Sequence, residues 1–105
     1  MWQLRLRKEE LMAIVHGNYQ VANTPTLIAS IPDQTPYVAI SIQNNDSASI
    51  YVGDSTVTTT GANKGHVVTA GTTYQLWCNA KDAVYAISAA GTSANAVSVL
   101  YSKLI

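Results

Sequence analysis

The sequence predicts an all-β domain: a compact antiparallel β-sandwich or jelly-roll-like barrel of six to eight short strands with an extended N-terminal arm. Three observations carry this expectation. From Tyr37 onward, short runs rich in Val, Ile, Thr and Tyr alternate outward and inward positions with period two, the pattern of strands on a half-buried sheet. Clusters of Gly, Asn, Asp and Ser interrupt these runs at intervals of about 8–12 residues, the punctuation of a sandwich or barrel. No segment after Met12 has a helical period. A chain of 105 residues fits one domain, large enough to bury roughly 60–65% of its unfolded surface around a single modest core.

The elements follow in order. Pro25, Pro32 and Pro36 are the only prolines; each lacks a backbone donor and holds its predecessor extended. Residues 12–36 therefore read as an extended arm with one or two edge strands, "AIVHGNYQV" and "TLIASI". Such an arm lies either across a neighbouring subunit or along its own domain. Residues 37–105 read as the sandwich. "YVAISIQ" sets Val38, Ile40 and Ile42 on one face, and Tyr37, Ala39 and Ser41 on the other. "NNDS" is a turn, "ASIYVG" a strand closed by "GDS". "STVTTT" is β-rich and ends at the turn "GANKG", and "HVVTAG" is a short run. "TTYQLWC" alternates Tyr74, Leu76 and Cys78 with Thr73, Gln75 and Trp77. "AVYAISA" opposes Tyr85 and Ile87 to Val84 and Ala86. "AVSVLYSKL" groups Val97, Val99 and Tyr101, with Leu100 and Leu104 on the reverse. Apolar residues on both faces of this last run fit a central strand, or a strand with one face covered by another subunit.

The first eleven residues differ in style. Arg5, Arg7, Lys8, Glu9 and Glu10 are five of the twelve charged residues. Two readings compete. In one, "RLRKEEL" is a basic arm touching phosphate or an acidic neighbour. In the other, it is translated leader: Lys-Glu is encoded by purine runs of the kind that precede a bacterial start codon, and the mature chain begins at Met12 or Ala13. The second reading is the one adopted here, with residues 1–11, where present, expected to be disordered or loosely attached.

Composition narrows the function classes. Charged residues are 11% of the chain against a typical value of about 25%, and 48% are apolar, which argues against disorder. Net charge is zero, so the body has no basic field for a nucleic-acid backbone. Cys78 is the single cysteine, which excludes an intramolecular disulfide and a cysteine-based zinc site. No apolar run approaches the ~20 residues of a membrane helix, and "LMAIV" is too short for a signal-peptide core. The mature chain is expected to be made and assembled in cytosol.

Catalytic signals are sparse. His16 and His66 fall in different elements without a metal-ligand spacing. No Gly-x-Ser-x-Gly elbow is present. Asp33, Asp46, Asp54 and Asp82 sit in turns, where aspartate bonds its own backbone, and no Asp-x-Asp-x-Asp-Gly run supports calcium. Cys78 reads as a small core residue. No enzymatic activity, cofactor or metal is expected. The six tyrosines and two tryptophans are half-buried strand residues or a recognition surface. With Tyr74 and Leu76 inward, Trp77 faces outward.

The pieces "ISIQNNDSASIYVGDSTVTTTGANKG", "VTAGTTYQLW" and "VYAISAAGTSANAVSVLY" together resemble a family of small all-β virion proteins of tailed bacteriophages, encoded near the major capsid gene. The resemblance covers residues 40–101, about two-thirds of the chain, and consists of strands and turns without a catalytic signature. The Gly53-Asp54-Ser55 turn departs from the usual pattern of two small residues. The resemblance implies a capsid decoration (cement) protein on the capsid exterior, a homo-oligomer, trimeric by expectation, whose partner is the major capsid protein and not nucleic acid or membrane. A fibre or host-surface glycan-binding module, and a tail or neck component, are the alternatives. Tyr19, Pro25, Ile31, Pro32, Pro36, Tyr37 and Trp77 are the expected partner contacts.

Overall fold

The computed structural model describes residues 12–104, so the leader or basic-arm reading of residues 1–11 lies outside the described residues. Eight strands are present: β1 (Met12–Tyr19), β2 (Thr26–Ser30), β3 (Val38–Asn44), β4 (Ile50–Gly53), β5 (His66–Val68), β6 (Thr73–Cys78), β7 (Ala83–Ile87) and β8 (Val97–Leu104). They form two four-stranded antiparallel sheets, one ordered β1-β8-β3-β6 and the other β2-β7-β4-β5. This is the strand order of an eight-stranded jelly roll, a β-sandwich whose chain alternates between two facing sheets.

The period-two pattern sets what each strand buries. In β3, Val38, Ile40 and Ile42 point inward; in β8, Val97 and Val99 do. The facing sheet contributes Ile28, Ala29, Ile50, Val52, Val68, Val84 and Ala86. Each fully buried Ile or Val contributes about 1.5–3 kcal/mol relative to exposure. β-branched residues dominate both rows because their stiff side chains fit a pleated surface.

The stretch expected to be an arm is an integral part of this body. β1 closes one sheet against β8 over eight pairs, from Met12 opposite Leu104 to Tyr19 opposite Val97. β2 closes the other against β7. Val21, Ile28, Ala29 and Ile31 are core, so the boundary drawn at residues 36 and 37 does not divide two bodies. "STVTTT" is also not a strand. Residues 54–65 form a loop: the Asp54 carboxylate accepts the Thr56 amide at 2.9 Å and the Asp54 carbonyl accepts that of Val57 at 3.1 Å, which turns the chain before a ladder starts. Val57 is 2% exposed and anchors the loop. It sits in a notch made by two glycines: a Cβ on Gly65 would lie 2.6 Å from Val57 Cγ2 and 2.7 Å from the Val52 carbonyl oxygen.

Asn44 clamps one end of the sandwich. Its side chain is fully buried, and its Nδ2 donates to the carbonyls of Ala48 and Val68, both at 2.9 Å. Its Oδ1 accepts the Asp46 amide at 3.0 Å. Asp46 continues the network, accepting the amides of Ser93 and Ala48, each at 3.1 Å. Those amides, Ser93 first, lower the pKa of Asp46 below the ordinary carboxylate value. Thr92 ties the same end to the chain after β1: its Oγ1 accepts the Val21 amide at 2.8 Å.

Two outcomes follow. Gly65→Ala should destabilise the fold by about 1–3 kcal/mol through overpacking, read as a lower urea midpoint with an unchanged slope. Folding lowers the Asp46 pKa, so its contribution is complete above the ordinary Asp value of about 3.9 and is lost as pH falls through the folded value. Melting at pH 7 and at pH 3 should therefore show a smaller acid-induced drop for Asp46→Asn than for the wild type; equal drops would assign acid sensitivity elsewhere.

Candidate functional site

Strand direction decides which expected contacts meet. Because neighbours are antiparallel, the 31–37, 54–65 and 79–82 connections share one end of the sandwich. The start of β1 and the finish of β8 lie at that end as well. Pro32, Pro36, Tyr37 and Trp77 therefore gather at one end, and Pro25 lies at the other. Tyr37 and Trp77 stack with ring centroids 5.2 Å apart and planes inclined by 20°, and they are 60% and 56% exposed. Trp77 pairs with Ala39 across β3 and β6, which leaves Tyr37 its diagonal neighbour on the outer face.

Two expected contacts are placed differently. Ile31 is 2% exposed, and the correction has a local cause. Ile28 faces inward, and a register shift between Leu27 and Ala29 turns Ala29 and Ile31 inward as well. Its amide donates to the Asp82 carbonyl and its carbonyl accepts the Lys81 amide, both at 2.8 Å, so Ile31 fastens the two connections and offers no side chain to a partner. Tyr19 is half-buried, lies over Gly17 and packs against the core. Pro25 and Pro36 are exposed and Pro32 is half-buried.

The outer face of the β1-β8-β3-β6 sheet carries more than the aromatic pair. Register aligns His16, Leu100, Ser41 and Gln75 in one row across all four strands, and Asn18, Ser98, Gln43 and Thr73 in the next. Ile14 stands opposite Ser102, and Ala39 opposite Trp77. Ile14 is 74% exposed and Leu100 51%. Among the described residues of these strands, no Asp, Glu, Lys or Arg side chain alternates onto this face. The role of Ile14 and Leu100 was only partly readable: Leu100 alternates visibly against Val97, Val99 and Tyr101, whereas Ile14 lies in a run, "MAIVHGNY", with no clear apolar face.

A groove of about 270 Å³ flanks β6 and is lined by Asp54, His66, Tyr74, Trp77 and Asp82 among others. His66 and Tyr74 stack at 4.0 Å and 25°, bridging the edge strands of the two sheets. Its carboxylates already have partners. Asp54 accepts the Thr56 hydroxyl at 2.6 Å and the Thr56 amide, which lower its pKa. Asp82 accepts the Asn79 amide at 2.7 Å. Burial, and then the Asp82 carboxylate, push the Cys78 thiol up, so it stays protonated at neutral pH and is a poor nucleophile. No cluster of three His, Cys, Asp or Glu suited to a metal occurs among the described residues. The arrangement is equipped for surface contact through aromatic, aliphatic and amide groups.

No protein-family model matches the chain, and no curated relative matches it. Among solved structures, it is similar to a chain described by the words "Bacillus endospore appendages form a novel family of disulfide-linked pili". The two are 17% identical with a TM-score of 0.56, over 90% of this chain and 87% of that one. The likeness is one of fold: a two-sheet all-β body.

Proposed function

We propose that this chain is a non-enzymatic structural protein of a tailed-bacteriophage virion, a capsid decoration protein bound in many copies over junctions between capsid subunits. The observation that carries the reading is the outer face of the β1-β8-β3-β6 sheet: wide, uncharged among its described positions, and bearing four of the five large apolar side chains exposed among the described residues, Ile14, Tyr37, Trp77 and Leu100. Such a face suits permanent coverage within an assembly. The sequence resemblance supplies the setting, and the near absence of charge agrees with it, since low self-repulsion is tolerated on a protein held among neighbours. Repetition on a lattice lets individually weak contacts add through raised effective concentration. The jelly roll by itself does not choose, because the same scaffold serves capsid and lectin domains.

The Tyr37–Trp77 stack favours a second reading, a fibre module that binds host glycans, because both residues of the pair are more than half exposed and an exposed aromatic ring can pack against a sugar. The pili named for the similar structure are joined by disulfides. That mode of assembly does not transfer: the single cysteine here, Cys78, is 3% exposed inside the sandwich.

Quantitative mass spectrometry of purified virions should find this protein at a copy number comparable to that of the major capsid protein; a number set by one vertex or the tail would remove the decoration role. On a glycan array, the fibre reading expects binding that Trp77→Ala weakens roughly tenfold, the equivalent of about 1.4 kcal/mol of stacking. The decoration reading expects no glycan signal to lose.

A further inference from the structure

We infer that the outer face of the β1-β8-β3-β6 sheet is the self-contact surface of this protein, covered by the same face of sister copies with Leu100 as its central anchor. The inference deepens the structural role proposed above and rests on it for the biological setting only.

Shape supports a sister copy as the occupant. Leu100 and Ser41 form the divide between two shallow depressions on this face. One, of about 250 Å³, is lined by Ile14, Ala39, Gln75 and Ser102; the other, of about 260 Å³, lies beside His16, Asn18, Gln43 and Ser98. The face thus carries an exposed leucine and recesses of mixed polar and apolar lining side by side. A surface that meets its own copy needs both features within one patch, because each residue is presented and received by the same sequence.

Charge supports it too. In a self-contact near a symmetry axis, a charged side chain approaches its own like-charged copy, and that juxtaposition is unfavourable. This face has none among its described positions. A partner of opposite charge would have nothing to pair with, whereas Ser, Thr, Asn and Gln can both donate to and accept from their own copies.

Area sets the strength. Four strands about 4.8 Å apart, each about seven residues long at ~3.3 Å per residue, present a face on the order of 450 Å² in projection. Side chains standing off the sheet raise the accessible area above that figure. The projected figure lies below the roughly 600–1,000 Å² that specific interfaces bury on each side. A self-contact of micromolar strength is the expected outcome, with sheets packed about 10 Å apart as in any face-to-face β-packing.

The test is sedentation-based mass measurement on the full chain: sedimentation equilibrium from about 1 µM to about 1 mM, with wild type, Leu100→Glu, Ile14→Glu and, as a control on the other sheet, Leu27→Glu. Circular dichroism and a cooperative melt verify that each variant is folded. The wild type should be a dimer, the closed form of a contact between identical faces. Leu100→Glu should weaken association by about 30-fold or more, as for a central hot spot, Ile14→Glu should weaken it less, and Leu27→Glu should leave it unchanged. A wild-type oligomer that folded Leu100→Glu leaves intact overturns the assignment of this face. A chain that stays monomeric across the range overturns the sister copy as occupant; if the chain starting at Met12 then associates, residues 1–11 are what covers the face, and if only purified capsids bind it in a Leu100-dependent way, the capsid is. Virion copy number is independent of these outcomes, so failure of the decoration role and failure of this surface are separately visible.

Discussion

Closure of two sheets over facing rows of Ile and Val side chains is the constraint on which the rest of the molecule depends. Among the described residues, no sheet neighbour of β1 is close in sequence, since its partner is β8, more than seventy residues on. Loop-closure entropy opposes such pairing until the long-range contacts form. The inner rows must therefore be almost wholly apolar, and the few buried polar groups must earn their place by bonding across elements. Asn44 does so at one end, joining β3 to the Ala48 and Val68 carbonyls. Thr35 does so at the other, where its hydroxyl accepts the Leu104 amide at 3.3 Å. Ser88 is the exception among the described residues: its buried hydroxyl has no partner.

The same constraint makes the outer faces informative. Once parity commits Val97, Val99 and Tyr101 to the interior, Ser98, Leu100 and Ser102 must point away, and core stability asks nothing of them. Ser98 and Ser102 are what a solvated strand would carry. Leu100 is not, and neither are Ile14 and Trp77 in the flanking strands. A single exposed leucine needs no explanation. Several on one uncharged sheet face, with Ile14 and Leu100 lining one depression, form a patch whose exposure to water is unfavourable unless something covers it.

The inner rows were legible in the sequence because period-two alternation is a direct imprint of the pleat. The faces expected for β3, β6 and β8 are the observed ones. "STVTTT" misled because β-branched composition favours a strand only where backbone partners exist, and Asp54 had already captured the local amides. Ile31 misled because residues 12–36 were read as an arm reaching for a partner, whereas the bulge between Leu27 and Ala29 turns Ala29 and Ile31 into the core. The Tyr37–Trp77 pair was half legible: alternation placed both residues outward, but their meeting depends on the β3–β6 register, which no local pattern encodes. Sheet order was not legible for the same reason. The pairing of β1 with β8 rests on contacts between the two ends of the chain.

If copies of this body assemble as proposed, the groups it carries decide how they would hold together. A buried, protonated Cys78 gives no covalent cross-link. Three lysines and four aspartates after Met12, mostly in connections, give no network of ion pairs. What remains is apolar burial and neutral hydrogen bonding across sheet faces, which respond weakly to salt because no charges need screening. A face of this size gives only modest affinity to two isolated molecules. On the proposed capsid lattice each copy would be offered its neighbours at high effective concentration, and the same modest contact would become sufficient. In that proposed setting, weak, uncharged and repeated contacts would also let misplaced copies leave and bind again, so a layer could reach its regular arrangement before it became permanent.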